Sequence, residues 1–119
     1  MLAVATAFNA EREVCYSSRE CPNIEELMAV FSDEPRRTEI QRNNNIVLLE
    51  GRDAIAADHL RVASSFTGRR VETTSMAVQG RNVLMLQLNW DPGAAEPNPF
   101  TSVLRIEDGK VAHWVLVAP

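Results

Sequence analysis

The chain has 119 residues, of which 45% are hydrophobic and 24% charged, with a formal net charge of −4. That length fits one domain spanning residues 1–119, able to bury roughly two-thirds of its unfolded surface. The negative balance and scattered basic residues, doubled only at Arg36-Arg37 and Arg69-Arg70, argue against a nucleic-acid partner. No apolar run approaches the ~20 residues of a bilayer-crossing helix, so no membrane partner is expected. The opening MLAVATAF lacks a basic start and runs into Asn9, Glu11 and Arg12. It is a poor signal peptide, and a cytoplasmic setting is expected.

Leu2 to about Ser17 suits a helix, with Val4, Phe8 and Cys15 near one face and Glu11, Arg12 and Glu13 elsewhere. Cys15 and Cys21 fit no zinc spacing. Buried free thiols are the expected state, with a disulfide left open. After the break at Cys21-Pro22, Asn23 can cap a short helix from Ile24 to Phe31. Ser32-Asp33-Glu34-Pro35 should stop it, because the position before proline disfavours helical geometry. Thr38 to Asn43 reads as a short strand with Glu39, Gln41 and Asn43 on one side, and Asn43-Asn44-Asn45 as an irregular turn. Gly51 to about Ser65 is the third helix, with Ile55, Leu60 and Val62 as inward anchors and His59 exposed beside Asp58.

A strand rich in β-branched and hydroxyl residues follows from Arg69 to Gln79, then a Gly80 turn. Within Asn82–Trp90, Leu84, Leu86, Leu88 and Trp90 alternate with Met85, Gln87 and Asn89, so one face is wholly apolar and the other turns polar. Asp91 to Pro99 is a long proline-rich connection, and Asp108-Gly109 a tight hairpin turn between the last two strands. The expected class is α+β, a curved antiparallel sheet with three helices on one face.

This order resembles the nuclear-transport-factor-2-like superfamily, whose members form a cone from a curved sheet and three helices packed on its concave face. The residues carrying the likeness are Phe31-Ser32-Asp33, Glu50-Gly51-Arg52-Asp53-Ala54-Ile55 and Val103 to Val111, within a match from about Ile24 to Val117. The resemblance implies a cone-shaped pocket for an apolar polyketide-, terpenoid- or steroid-like compound. It also implies an isomerase, cyclase or epoxide-hydrolase type of reaction. Asn43 falls where limonene epoxide hydrolase has a water-holding asparagine, and Gln41 where it has a tyrosine. Gln87 and Asn89 take the places of its arginine and one aspartate, and Leu116 stands where the second aspartate belongs. The steroid isomerases would want a carboxylate near Arg42 or Asn43 and a second acid near Ser102, and both are missing. Amides cannot exchange protons near neutral pH, so neither parent reaction transfers intact.

The candidate catalytic residues are therefore Gln87, Asn89, Asn43, Asp91 and Tyr16. Asp91 is the carboxylate sharing the face of Gln87 and Asn89, with Glu39 as a second possible proton-transfer group. Tyr16 is a hydrogen-bond donor toward a carbonyl or enolate oxygen. Gln41, Met85, Phe100, Ser102, Leu104, Trp114 and Leu116 are the candidate substrate-binding residues. His113 shares a parity with Val111 and Val115 and is expected to face outward. No Gly-rich phosphate loop, metal triad or Ser/His/Asp order stands out, so neither cofactor nor metal is expected. The outer strip of Leu84, Leu86, Leu88 and Trp90 should bury against a second copy, giving a homodimer. The competing reading is a non-catalytic ligand-binding or accessory dimerisation module that has lost its carboxylates.

Overall fold

The structure is a computed structural model that describes residues 1–118. In chain order it comprises α1 (Leu2–Tyr16), α2 (Ile24–Met28), β1 (Phe31–Ile40), β2 (Ile46–Glu50), α3 (Arg52–Ser65), β3 (Arg70–Gln79), β4 (Asn82–Trp90), β5 (Asn98–Glu107) and β6 (Lys110–Val117). The six strands form one curved, unclosed sheet in the order β2-β1-β6-β5-β4-β3, with the helices on its inner face. All neighbouring strands are antiparallel except β1 and β6, so the sheet is mixed rather than wholly antiparallel as expected. Asp108 and Gly109 both take positive φ, 51° and 73°, the backbone a two-residue hairpin between β5 and β6 requires.

Alternation along β4 sets the two faces. Val83, Met85 and Gln87 point inward and are buried, whereas Leu84 and Leu86 point outward and are exposed. Phe8 of α1 meets Phe31 and Trp114 edge-on at 5.7 and 5.0 Å between ring centroids, closing the helices onto the sheet.

Several local expectations change. Helix α2 ends at Met28, and Phe31 with Ser32–Pro35 belongs to β1 instead of to a helix and its stop. The cause is non-local: Phe31 pairs with Val111, and the register slips between Phe31 and Arg36. Pro35 sits inside that irregularity, where a missing N–H is tolerated. β1 then ends at Ile40, short of Asn43, and an additional edge strand, β2, precedes α3. The Arg52 guanidinium explains part of the Gly-Arg-Asp signature. It donates to the carbonyls of Met28, Phe31 and Ser32 at 2.9–3.0 Å, tying α3 to the α2–β1 corner. Leu60 faces solvent instead of the core.

Cys15 and Cys21 form a disulfide, correcting the expectation of free thiols. The turn after α1 brings them together, with Cys21 in a left-handed conformation at φ 48° and its N–H donating to the Ser18 carbonyl. A loop this short restricts the unfolded chain modestly, so Cys21→Ser or full reduction should cost about 2 kcal/mol. Urea unfolding with and without reductant measures this, and identical midpoints would show that the crosslink is not formed in solution.

Candidate functional site

A cavity of about 400 Å³ opens between the helices and the inner sheet face. Helix α1 supplies Arg12 and Tyr16, and α3 supplies Asp58 and Val62. From the sheet come Arg37 and Glu39 of β1, Val71 of β3, Asn89 of β4, Phe100 of β5, and Trp114 and Leu116 of β6, with Arg69 just before β3.

The two helices reach the cavity by the same device. The buried stripe of α1 is Ala5, Phe8, Arg12, Cys15 and Tyr16, and that of α3 is Ile55, His59, Val62 and Ala63. Each is an apolar stripe at helical spacing with one basic residue in its middle. Arg12, expected off the apolar face, and His59, expected to be exposed, are both buried. That interruption was the available signal: a charge at i+4 from Phe8 and i−4 from Tyr16 cannot sit on the outer face if they sit on the inner one.

Tyr16 Oη and His59 Nδ1 lie 2.8 Å apart in a buried hydrogen bond. The imidazole stacks on the Trp114 indole, with centroids 5.5 Å apart and planes 10° from parallel. Burial holds His59 neutral, with its pKa lowered to about 3 first by desolvation and then by the Arg12 charge. Desolvation also raises the Tyr16 phenol to about 12. Trp114 carries cations near its faces as well: the Arg37 guanidinium carbon is 5.0 Å from a ring centroid, and that of Arg12 is 5.6 Å away.

The carboxylates at this site are all paired with arginine. Arg37 reaches Glu39 at 3.3 Å and Asp58 at 3.6 Å, Asp58 also takes Arg61 at 2.9 Å, and Arg69 binds Asp91 at 2.7 Å. Among the described residues, four sealed polar atoms have no partner: Arg37 Nε, His59 Nε2, Asn89 Oδ1 and Trp114 Nε1.

Of the residues singled out from sequence, Tyr16, Asn89, Phe100, Trp114 and Leu116 line the cavity together. Gln87, Met85, Ser102 and Leu104 are buried beside it without lining it. Gln87 is the hub of that layer. It accepts from Ser102 Oγ at 2.8 Å, and its amide donates to Thr73 Oγ1 at 2.9 Å and Asn9 Oδ1 at 3.2 Å. Asn9 Oδ1 also accepts from Arg12 at 3.1 Å, so the amide layer runs up to the cavity wall. Gln41 donates to Glu39 at 3.0 Å. Asn43 stands in an exposed turn outside the lining, with its side chain accepting the Asn45 N–H at 3.1 Å. His113 faces the outer side, where Nε2 and Thr38 Oγ1 are 2.8 Å apart. Sequence reasoning missed Arg12, Arg37, Asp58, His59 and Arg69. Among the described residues, no three His, Cys, Asp or Glu side chains converge as a metal site would require, and no helix is long and apolar enough to cross a membrane.

Comparison with known proteins places this geometry. Residues 19–114 match the SnoaL-like domain model, and no curated protein matches the sequence. A candidate polyketide cyclase from Sinorhizobium meliloti superposes with a TM-score of 0.74 at 14% identity, over 96% of this chain and 93% of the other. A candidate isomerase of the SnoaL-like family from Agrobacterium tumefaciens gives 0.74 at 14% identity, over 99% and 96%. A protein of ketosteroid-isomerase-like fold from Catenulispora acidiphila, solved in complex with trimethylamine, gives 0.72 at 16% identity, over 95% and 82%. At these identities the superpositions speak for the fold alone. With the model match covering most of the sequence, the chain belongs to the SnoaL-like domain family of the nuclear-transport-factor-2-like superfamily.

Proposed function

We propose that this protein is a cofactor-independent enzyme that forms an enolate on a small, largely apolar ketone of polyketide, terpenoid or steroid type and isomerises or cyclises it. The observation that carries the reading is Tyr16 on the cavity wall, hydrogen-bonded from behind to the buried His59. Neutral His59 has two tautomers, and Nε2 is unpaired in either. A proton on Nδ1 leaves a bare acceptor in the core instead of an orphaned N–H, which is the rarer and costlier defect. In that tautomer His59 donates to Tyr16 Oη, and the phenolic hydrogen is free to point at a ligand oxygen.

The chemistry then follows. A carboxylate takes a proton from the carbon beside the carbonyl, and the electron pair moves onto the carbonyl oxygen, where the Tyr16 O–H stabilises it. Returning the proton at another carbon shifts a double bond, whereas attack of the enolate carbon on a second carbonyl closes a ring, with the abstracted proton passing from the carboxylic acid to the new alkoxide oxygen. Glu39 is better placed as the base than Asp91, because it lines the cavity while Asp91 does not. Asn89 orients the substrate, and Trp114, Phe100 and Leu116 form its apolar wall.

Tyr16→Phe should lower turnover by on the order of 10²–10³-fold with little change in binding. The assay follows a panel of β,γ-unsaturated ketones by the absorbance of the conjugated product, and poly-β-ketones by mass spectrometry. If the cavity binds these compounds by calorimetry but turns over none, the enzyme reading fails and the binding-module reading stands. The pairing of Glu39, Asp58 and Asp91 with arginine is the observation on that side, since a carboxylate already held by a guanidinium is not aimed at a ligand carbon. The reading includes a homodimer formed through the outer sheet face. It also keeps a cytoplasmic setting, where the Cys15–Cys21 bond would be open to reduction.

A further inference from the structure

We propose that the ligand of this cavity carries a carboxylate, or an equivalent anionic oxygen group, on its apolar body, and that the Arg12 guanidinium is its counter-ion. The inference rests on the small-molecule reading above and narrows its substrate class to organic acids.

Arg12 is 2% exposed and lines the cavity. Its one hydrogen-bond partner among the described residues is a neutral amide, Asn9 Oδ1 at 3.1 Å. Among the described residues, the ion pairs involve Arg37, Arg61, Arg69 and Arg105, and none involves Arg12. Burying a charge without a counter-ion is among the most expensive things a fold can do. Burial and the nearby Arg37 lower its pKa to about 10, which still leaves it charged at neutral pH.

Packing does not require the charge. The guanidinium carbon lies 4.7 Å from the Phe8 ring centroid and 5.6 Å from that of Trp114, contacts that return part of the cost as cation–π attraction. A methionine could fill the same slot with none of the desolvation penalty. What the charge offers is a fork of N–H donors on a cavity wall, matched in shape to a planar carboxylate.

The rest of the lining agrees. Arg12, Arg37, Arg42 and Arg69 face it against Glu39 and Asp58, so the wall is net positive in a chain that is net negative. The contacts of Arg37 to its carboxylates, 3.3 and 3.6 Å, are long beside the ~2.8 Å of a tight charge-assisted bond, so that cation is incompletely neutralised too. Val62, Val71, Phe100 and Leu116 supply the apolar remainder. An anionic head with a hydrophobic body is the complementary solute.

The test is calorimetry with 2-naphthoate and 2-naphthamide, which share a skeleton and differ in charge. Wild type should bind the acid at least ~10-fold more tightly in low salt, with the gap narrowing as salt is added. Arg12→Met should shrink the gap to within about two-fold and raise the melting temperature of the unliganded protein by a few degrees, since an unpaired buried charge has gone. A merely structural arginine would lower it instead. Equal affinity of wild type for acid and amide overturns the anion inference and leaves the pocket reading intact. An undiminished gap in Arg12→Met also overturns it. If neither compound binds, both readings fall. The wild-type comparison decides even if the variant does not fold.

Discussion

Between pH 6.5 and pH 4.5 the protein should lose about 2–3 kcal/mol of stability through one side chain, His59. The imidazole is fully buried, with its pKa lowered to about 3 by desolvation first and by the Arg12 charge next, and the 6.5 of an unfolded histidine is the reference. Between those two values the unfolded chain binds a proton that the native state refuses. Stability is therefore complete above about pH 6.5 and falls by about 1.4 kcal/mol per unit as the pH drops toward 3. The groups that set this are identifiable. Arg12 from α1 and Arg37 from β1 disfavour the imidazolium, and only Asp58 from α3 opposes them. Urea unfolding at pH 7.0, 6.0, 5.0 and 4.5 measures the slope, and His59→Gln should flatten it while lowering stability at pH 7. His113→Asn is the control, because the outward-facing His113 is shifted in the same direction, mainly by desolvation and then by Arg36. A flat wild-type profile would mean that His59 is solvated or already protonated, and the neutral Tyr16–His59 donor would lose its basis.

The acid sensitivity and the proposed chemistry come from one arrangement. A neutral imidazole supports Tyr16 only while it stays neutral, and the two guanidinia that add to the effect of burial both line the cavity. An anionic ligand would partly screen them, so binding should make the lower edge of the stability profile less steep.

Parity made the fold legible in β4. Once Leu84 and Leu86 alternate with Met85 and Gln87, one face must be inside, and the superfamily resemblance said which. The positions of Asn89, Phe100, Trp114 and Leu116 follow from that parity and from the resemblance, whereas Tyr16 comes from helix α1, on which strand parity has no bearing. What was hidden depended on distant partners. Nothing local tells Phe31 to leave a helix and pair with Val111, and the Ser-Asp-Glu-Pro run after it looks like a stop. Nor does sequence spacing tell a thiol pair from a disulfide when the turn that joins them needs a left-handed cysteine. The missed site residues are different, because Arg12 and His59 broke apolar stripes that could be counted. Residue type argues for the surface at both positions, and periodicity places both inward. Where type and periodicity disagree on a helix, the disagreement itself marks a place where burial of a polar group is supported by a function.

Leu86→Asp should convert the proposed dimer to a monomer, with light-scattering mass falling from twice the 13.3 kDa of the chain to once. The outer face is apolar across the sheet, since register aligns Leu48 of β2, Val115 of β6, Val103 of β5 and Leu84 of β4 in one row with Thr38 of β1. Ile46, Ile40, Val117, Thr101 and Leu86 make the next row. Leu48 and Ile46 are each 62% exposed and Leu86 is 54% exposed, so a contiguous strip has no cover within the chain. A strip this continuous is unusual on a monomer. Self-pairing about a two-fold axis would bury it, and each substitution would then act twice. Two carboxylates without counter-ions in the contact should weaken association by on the order of 10³-fold or more. The monomer should keep its fold, because position 86 points away from the core, and circular dichroism checks that. Leu60→Asp, on the exposed side of α3, is the matched control and should remain dimeric. If wild type already sediments as a monomer at tens of micromolar, the outer face does not pair with itself and the dimer is refuted.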